Sequence, residues 1–81
     1  MVIQVQFFSW FRDSAGCART TETVPAGCTL GQLVDRLHLR FPRLAPSGHC
    51  ALTAVGVEYQ KPGYVLKDGD EVSLFPPVQG G

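Results

Sequence analysis

Residues 29–41 read Thr-Leu-Gly-Gln-Leu-Val-Asp-Arg-Leu-His-Leu-Arg-Phe and have the spacing of an amphipathic helix. Thr29 and Gln32 match a capping box, in which each side chain satisfies a backbone N–H at the helix start. The apolar positions recur every three or four residues and would form one buried stripe: Leu30, Leu33, Val34, Leu37 and Phe41. Pro42 disfavours helical angles in the preceding residue, so we predict one helix that ends near Phe41.

Strand-like segments lie on both sides of this helix. Two of them, residues 1–8 and 19–24, precede it, and a loop would join them. Three more, residues 51–55, 57–59 and 71–75, follow it. This order predicts an α+β fold, with a mixed sheet of four to five strands packed on one main helix. By analogy with the ubiquitin-like β-grasp arrangement, we expect the first and last strands to lie side by side at the centre of the sheet.

Composition limits the classes of function that are open to the chain. Its 81 residues are enough for a single domain, which we expect to span residues 1–81. Seven basic residues balance seven acidic ones, which argues against binding to nucleic acid or to an anionic membrane surface. No apolar run approaches the roughly 20 residues that cross a bilayer. The first residues also lack the features of a signal peptide, so we expect a cytoplasmic protein.

The cysteines and paired aspartates do not form a recognisable metal site. Cys17, Cys28 and Cys50 are an odd set without a Cys-x-x-Cys pair, and zinc or iron–sulfur sites usually need four ligands in close pairs. We expect three reduced, structural thiols. A nucleophilic cysteine is the alternative, although no histidine lies at a spacing that suggests activation. Asp68 and Asp70 flank a glycine, and this spacing is typical of a turn.

The last six residues, Pro76 to Gly81, carry the strongest chemical signal. Two prolines favour a stiff, extended backbone, and two terminal glycines leave the end without side chains. We predict a flexible, extended tail that presents the α-carboxylate of Gly81 to another protein. A frayed chain end is the alternative, because most termini are poorly ordered.

A carboxylate is a poor electrophile, so its use as a carrier would require activation. ATP could convert it to an acyl-adenylate, from which a sulfur nucleophile could displace AMP and leave a thiocarboxylate. The sequence contains no Walker loop or other glycine pattern that binds phosphate. Activation would therefore have to come from a partner enzyme, and we expect no catalytic site within the chain itself.

Two aromatic residues and three arginines could take part in contacts with partners. Phe8 and Phe75 have the opposite strand parity from the predicted core residues, so they would share the outer face of the sheet as a docking patch. A covering loop is the alternative for this pair. Arg36 and Arg40 lie near the helix end and Arg43 lies just after it, where the helix dipole and solvation account for them. Binding of an acidic partner is the alternative for these arginines.

Several segments together resemble the small subunit of molybdopterin synthase. The most specific are Asp-Gly-Asp-Glu-Val at residues 68–72 and Phe-Pro-Pro-Val-Gln-Gly-Gly at residues 75–81. The others are spread along nearly the whole chain: Phe7-Phe8, Arg12, the helix from Thr29 to Leu37, Ala54-Val55 and Leu66-Lys67. One departure is visible, because the family often has Asn where this chain has Gly56.

This resemblance implies a sulfur carrier of molybdenum cofactor biosynthesis, with no bound cofactor. Gly81 would carry the adenylate and then the thiocarboxylate. An ATP-dependent adenylating enzyme resembling ubiquitin-activating enzymes would recharge it, together with a sulfur donor. The large subunit of molybdopterin synthase, in a heterotetramer with two carriers, would bind the tail and pass its sulfur to a pyranopterin precursor. The tail-binding residues would be Phe75, Pro76, Pro77, Val78, Gln79 and Gly80.

Other functions are compatible with the same features. The chain could carry sulfur for thiamine or cysteine synthesis, although the Phe-Pro-Pro segment argues against the thiamine carrier. It could be a ubiquitin-like modifier that forms isopeptide bonds with lysines. It could also be a non-catalytic interaction domain in which the terminal glycines have no chemical role.

Overall fold

The computed structural model describes residues 1–44 and 52–75, which form a five-stranded mixed sheet and two α-helices. The elements in chain order are β1 (Val2–Phe7), α1 (Trp10–Ala15), β2 (Arg19–Thr23), α2 (Leu30–Arg40), a 3₁₀ turn (Pro42–Leu44), β3 (Leu52–Val55), β4 (Glu58–Tyr59) and β5 (Glu71–Phe75). The expected α+β class and the strand count are confirmed.

The sheet has the strand order β2-β1-β5-β3-β4, so the first and last strands lie side by side at its centre. β1 runs parallel to β5, with Val5 opposite Val72 and Phe7 opposite Leu74. The other neighbouring strands are antiparallel. The central pairing expected from the β-grasp analogy is therefore confirmed.

The hydrophobic core lies between α2 and one face of the sheet. Alternate residues of β1 are buried, as a strand with one covered face requires. The apolar stripe of α2 faces them, with three leucines buried and Val34 and Phe41 partly buried. The buried residues contributed by these central elements are Ile3, Val5, Phe7, Leu30, Leu33, Leu37, Val72 and Leu74.

The start of α2 has the predicted capping box. Thr29 Oγ1 accepts a hydrogen bond from the backbone N–H of Gln32 at 3.3 Å, and the Thr29 N–H donates to Gln32 Oε1 at 3.0 Å. The helix ends at Arg40, directly before Phe41 and Pro42. Both predicted boundaries of the helix are therefore confirmed to within one residue.

The loop before β5 satisfies the remaining N–H groups at the start of α2. Leu30 donates to the carbonyl of Tyr64 at 2.8 Å, and Gly31 donates to the carbonyl of Pro62 at 2.9 Å. A Cβ at Gly31 would lie 3.1 Å from Pro62 Cβ, so glycine permits this close approach. These bonds fasten the loop to the helix and leave no unpaired donor in its first turn.

A short helix replaces the loop that we expected between the first two strands. Residues 13–16 read Asp-Ser-Ala-Gly, a composition that is typical of a turn, but they form the end of α1 and its cap. Gly16 adopts left-handed angles and donates its N–H to the carbonyl of Arg12 at 3.0 Å. Phe11 is buried in the core, and the burial of its side chain stabilises this single helical segment.

The turn before β5 is built by the two aspartates, as predicted. Asp68 Oδ1 accepts from the N–H of Val2 at 2.8 Å, and Asp70 Oδ2 accepts from the N–H of Lys67 at 2.8 Å. Gly69 between them has a positive φ of 85°. Asp68 thus connects the turn to the start of β1 and helps to align β1 with β5.

Gly56 forms the turn between β3 and β4 with a φ of 64°. Asn and Gly both tolerate this left-handed region, so the departure from the family pattern preserves the turn. The Gly56 N–H donates to the carbonyl of Glu71 at 2.9 Å, which ties the turn to the start of β5.

Two leucines on α2 test the position of the core. Leu37 is fully buried, whereas Leu39 is 84% exposed. We expect Leu37→Ala to lower the free energy of unfolding by about 2–5 kcal/mol, because it removes buried methyl groups and leaves a cavity. Leu39→Ala should change it by less than about 0.5 kcal/mol. Urea denaturation followed by circular dichroism measures both, and equal losses would contradict the placement of α2.

Candidate functional site

Three aromatic side chains lie together on the sheet face that α2 leaves uncovered. The rings of Phe8 and Phe75 are stacked, with centroids 4.6 Å apart and planes inclined by 13°. Tyr59 meets Phe75 edge-on at a centroid distance of 6.2 Å. We refer to Phe8, Tyr59 and Phe75 as the aromatic patch.

Strand parity places these rings on the outer face. Phe7 and Leu74 point into the core, so the residues that follow them, Phe8 and Phe75, point to the opposite side. The predicted sharing of one face by Phe8 and Phe75 is confirmed. Tyr59 was not anticipated, because a strand of only two residues shows no alternation from which to infer its direction.

The aromatic patch is accessible from outside. Phe8 is 37% exposed and Tyr59 is 66% exposed, while Phe75 is half-buried. The small side chains of Ala54 and Ser73 lie on the same face and are buried. Because exposed aromatic residues in contact with one another are unusual on a small domain, this patch is a candidate docking surface.

A strained turn follows Phe8 directly. Ser9 has φ 57° and ψ −138°, in the positive-φ region that favours glycine. The N–H of Phe11 donates to the carbonyl of Phe8 at 3.2 Å and closes the turn. The Phe8 N–H donates to the carbonyl of Leu74 at 3.1 Å. Phe8 thus stays beside β5 while the chain reverses and directs Phe11 into the core.

The predicted tail residues Pro76, Pro77, Val78, Gln79, Gly80 and Gly81 lie outside the described residues, so their roles stay predictions. The structure does define the point from which they begin. Phe75 is the last residue of β5, pairs with Leu52 of β3 and stacks on Phe8. The aromatic patch therefore adjoins the origin of the tail.

The arginines at the end of α2 have different surroundings. Arg36 is exposed, in agreement with a solvated side chain. The Arg40 guanidinium instead donates to the carbonyl of Thr21 at 2.7 Å and to Thr20 Oγ1 at 2.9 Å. It also pairs with Glu22 at 3.4 Å. The helix dipole is therefore an incomplete explanation for Arg40. Sequence reasoning missed its contacts with β2 because the partners lie 19 and 20 positions away.

Residues 1–44 and 52–75 provide no metal site. They contain no cluster of three or more His, Cys, Asp or Glu side chains that could hold an ion. Within this part of the chain, Cys28 is buried and Cys17 is half-buried, both as free thiols, while Cys50 lies outside it. In the same residues, no helix is long and apolar enough to span a membrane.

Comparison with known proteins agrees with the family resemblance found in the sequence. A family model described as the ThiS family matches residues 5–81. The molybdopterin synthase sulfur carrier subunit of Mycobacterium tuberculosis is 35% identical over 82 residues, covering 98% of this chain and 96% of its own.

Solved structures share the fold. SAMP1 of Haloferax volcanii superimposes with a TM-score of 0.88 at 26% identity, with full coverage of both chains. A chain from the complex of subunits 1 and 2 of the molybdopterin-converting factor of Helicobacter pylori has a TM-score of 0.70 at 24% identity, again with full coverage of both. At that identity, the second likeness concerns the fold alone.

Substitutions of Ser9 test whether the turn beside the patch stores strain. We expect Ser9→Gly to raise the free energy of unfolding by up to about 1 kcal/mol, because the relief of strain exceeds the entropy that glycine adds to the unfolded chain. Ser9→Val should lower it by at least about 1 kcal/mol, because a β-branched residue tolerates positive φ poorly. Thermal unfolding compares the two variants, and the reverse order would contradict the turn geometry.

Proposed function

Because the chain belongs to the ThiS family, we propose that it is the sulfur carrier subunit of a molybdopterin synthase. The observation that carries this proposal is the match with a protein of that name over 98% of this chain and 96% of the relative. The family match covers residues 5–81, so it includes the two terminal glycines as well as most of the folded part. We expect a cytoplasmic location, as the sequence predicts.

In the proposed mechanism, the carboxylate of Gly81 is the group that carries sulfur. A carboxylate oxygen attacks the α-phosphorus of ATP, releases pyrophosphate and forms an acyl-adenylate. Hydrosulfide then attacks the acyl carbon, AMP leaves, and a thiocarboxylate remains. The chain has no phosphate-binding glycine motif, so a separate adenylating enzyme performs the first step. A sulfur donor supplies the second.

The proposed acceptor of the tail is the large subunit of the synthase. Two sulfur atoms are needed for one dithiolene, so two carriers per complex, in a heterotetramer, match the demand. From the sequence, two prolines at 76 and 77 would favour a stiff base for the tail, and two terminal glycines would leave its end free of side chains for a confined channel. After the thiocarboxylate sulfur has bonded to the precursor, water hydrolyses the bond between this sulfur and the acyl carbon. The sulfur stays on the precursor, and the carrier returns as a carboxylate that can be recharged.

The aromatic patch is the proposed docking surface for this large subunit. It adjoins the origin of the tail, so a partner bound to the patch is also positioned to receive the tail. A polar border accompanies the aromatic rings, because Gln6 Nε2 donates to Glu71 Oε1 on the same sheet face. An apolar centre with a polar rim is the usual composition of a protein–protein interface.

A ubiquitin-like modifier is the second candidate, and it is favoured by one observation. SAMP1, the small archaeal modifier protein 1, has nearly the same backbone at 26% identity. The carrier is preferred because its relative is 35% identical over almost the entire chain. The two functions differ in the product, since a modifier ends in an isopeptide bond to lysine and a carrier in a thiocarboxylate.

Mass spectrometry distinguishes these products. The chain is incubated with ATP, an adenylating enzyme and a sulfide donor. We expect the mass shift of one oxygen-to-sulfur exchange, and we expect its loss when Gly81 is deleted, because the shortened end no longer fits the activating site. Leu39→Ala is the control and should be charged normally. Lysine adducts would favour the modifier. A normal oxygen-to-sulfur mass shift in the chain that lacks Gly81 would refute the role of that residue.

The docking role of the aromatic patch has a separate test. We expect Phe8→Ala to weaken binding to a molybdopterin synthase large subunit by about tenfold or more, as for a central interface aromatic. Leu39→Ala removes an exposed apolar side chain from α2 and should leave the affinity unchanged. Isothermal titration calorimetry measures both, after circular dichroism establishes that each variant is folded. Unchanged affinity for Phe8→Ala would exclude the patch from the interface.

A further inference from the structure

β2 is an edge strand, and among the described residues no strand lies on its outer side. Its bonds to β1 are made by alternate residues, as in any antiparallel pair. Val24 and Met1 exchange bonds just beyond one end of the strand, and Phe7 donates to Ala18 at the other. The register then leaves three residues whose backbone groups point away from β1: Arg19, Thr21 and Thr23.

This free edge is suited to pairing with another strand. β2 contains neither proline nor glycine, and three of its five residues are threonine, which favours extended structure. Arg19, Thr21 and Thr23 are all exposed. Unpaired N–H and C=O groups on such an edge are a template for strand addition unless something covers them.

Arg40 covers the centre of the edge. Its Nη1 donates to the outward carbonyl of Thr21 at 2.7 Å, and its Nη2 donates to Thr20 Oγ1 at 2.9 Å. Glu22, whose side chain is only 15% exposed, pairs with the same guanidinium at 3.4 Å. A cationic donor therefore occupies the acceptor that an incoming strand would need at its midpoint.

The edge is complementary to itself. If a second copy approaches antiparallel about Thr21, each Thr21 lies opposite the other and each Arg19 lies opposite a Thr23. All three outward-pointing residues then meet outward-pointing residues, so the ladder of hydrogen bonds is complete. Glu22 meets Thr20, and no like charges face each other across the pair.

We propose that Arg40 keeps the β2 edge closed, and that two copies of this chain pair antiparallel through their β2 strands when Arg40 is absent. Displacing the guanidinium breaks its bonds to Thr21 and Thr20 and leaves Glu22 without its cation. That cost opposes strand addition in the natural chain. The proposal is independent of the sulfur-carrier function. It concerns the edge strand β2, whereas the carrier function depends on the tail that follows β5 and on the aromatic patch.

Sedimentation equilibrium over a range of concentrations tests the proposal. The natural chain and Arg36→Ala should retain the mass of one chain, because Arg36 is exposed on the same helix. Arg40→Ala should shift toward the mass of two chains as concentration rises. Arg40→Met, which keeps the apolar stem of the side chain, repeats the test if Arg40→Ala does not fold. A folded variant that stays monomeric throughout, or a natural chain that dimerises through this edge, would overturn the proposal.

Substitutions that introduce a charge at position 23 test whether β2 is the surface through which the two copies pair. In the Arg40 variant, Thr23→Lys puts a cation opposite Arg19 of the second copy at both ends of the ladder and should reduce dimerisation. Thr23→Glu puts an anion there and should strengthen it. Thr23 is exposed, so neither change disturbs the core. A dimer that responds equally to both substitutions uses another surface and contradicts the β2 pairing.

Discussion

The parallel pairing of β1 with β5 is the contact on which the rest of the structure depends. It joins the first and last described strands at the centre of the sheet, with Val5 opposite Val72 and Phe7 opposite Leu74. Both strands bury alternate side chains against α2, so a slip of one residue would turn the core side chains to solvent. The register is held at the start of the strands by Asp68, whose carboxylate accepts from the N–H of Val2.

That register also determines what the opposite face presents. Once Phe7 and Leu74 point inward, Phe8 and Phe75 must point outward on neighbouring strands, and their rings stack. The same pairing brings β5 to its end beside the aromatic patch. In the proposed carrier, one strand alignment therefore determines both the position of the docking surface and the position of Phe75, after which the tail begins. The core face supplies stability, and the outer face is left available for a partner.

Local signals in the sequence were sufficient for much of this fold. The capping box at Thr29, the apolar stripe of α2 and the proline at residue 42 defined the helix, because each acts within one or two turns of backbone. Strand alternation was sufficient to place Phe8 and Phe75 on one face. Tyr59 could not be placed because its two-residue strand shows no alternation. The contacts of Arg40 could not be predicted because the atoms that it binds on β2 lie 19 and 20 positions away. The helix α1 was missed because its six residues are too few to show helical periodicity, and the burial of Phe11 that stabilises it depends on distant parts of the chain.

The two edge strands of the sheet differ in length, and this difference explains why the β2 edge, which Arg40 covers, is the one that needs protection. β4 has only two residues, so it offers too few backbone groups to align an incoming strand. β2 has five residues and a regular row of outward carbonyls, so its length does not protect it. Because α2 crosses the core and ends beside β2, a long side chain at its last residue reaches the middle of that edge. The helix that completes the core thereby also blocks the only long edge among the described strands.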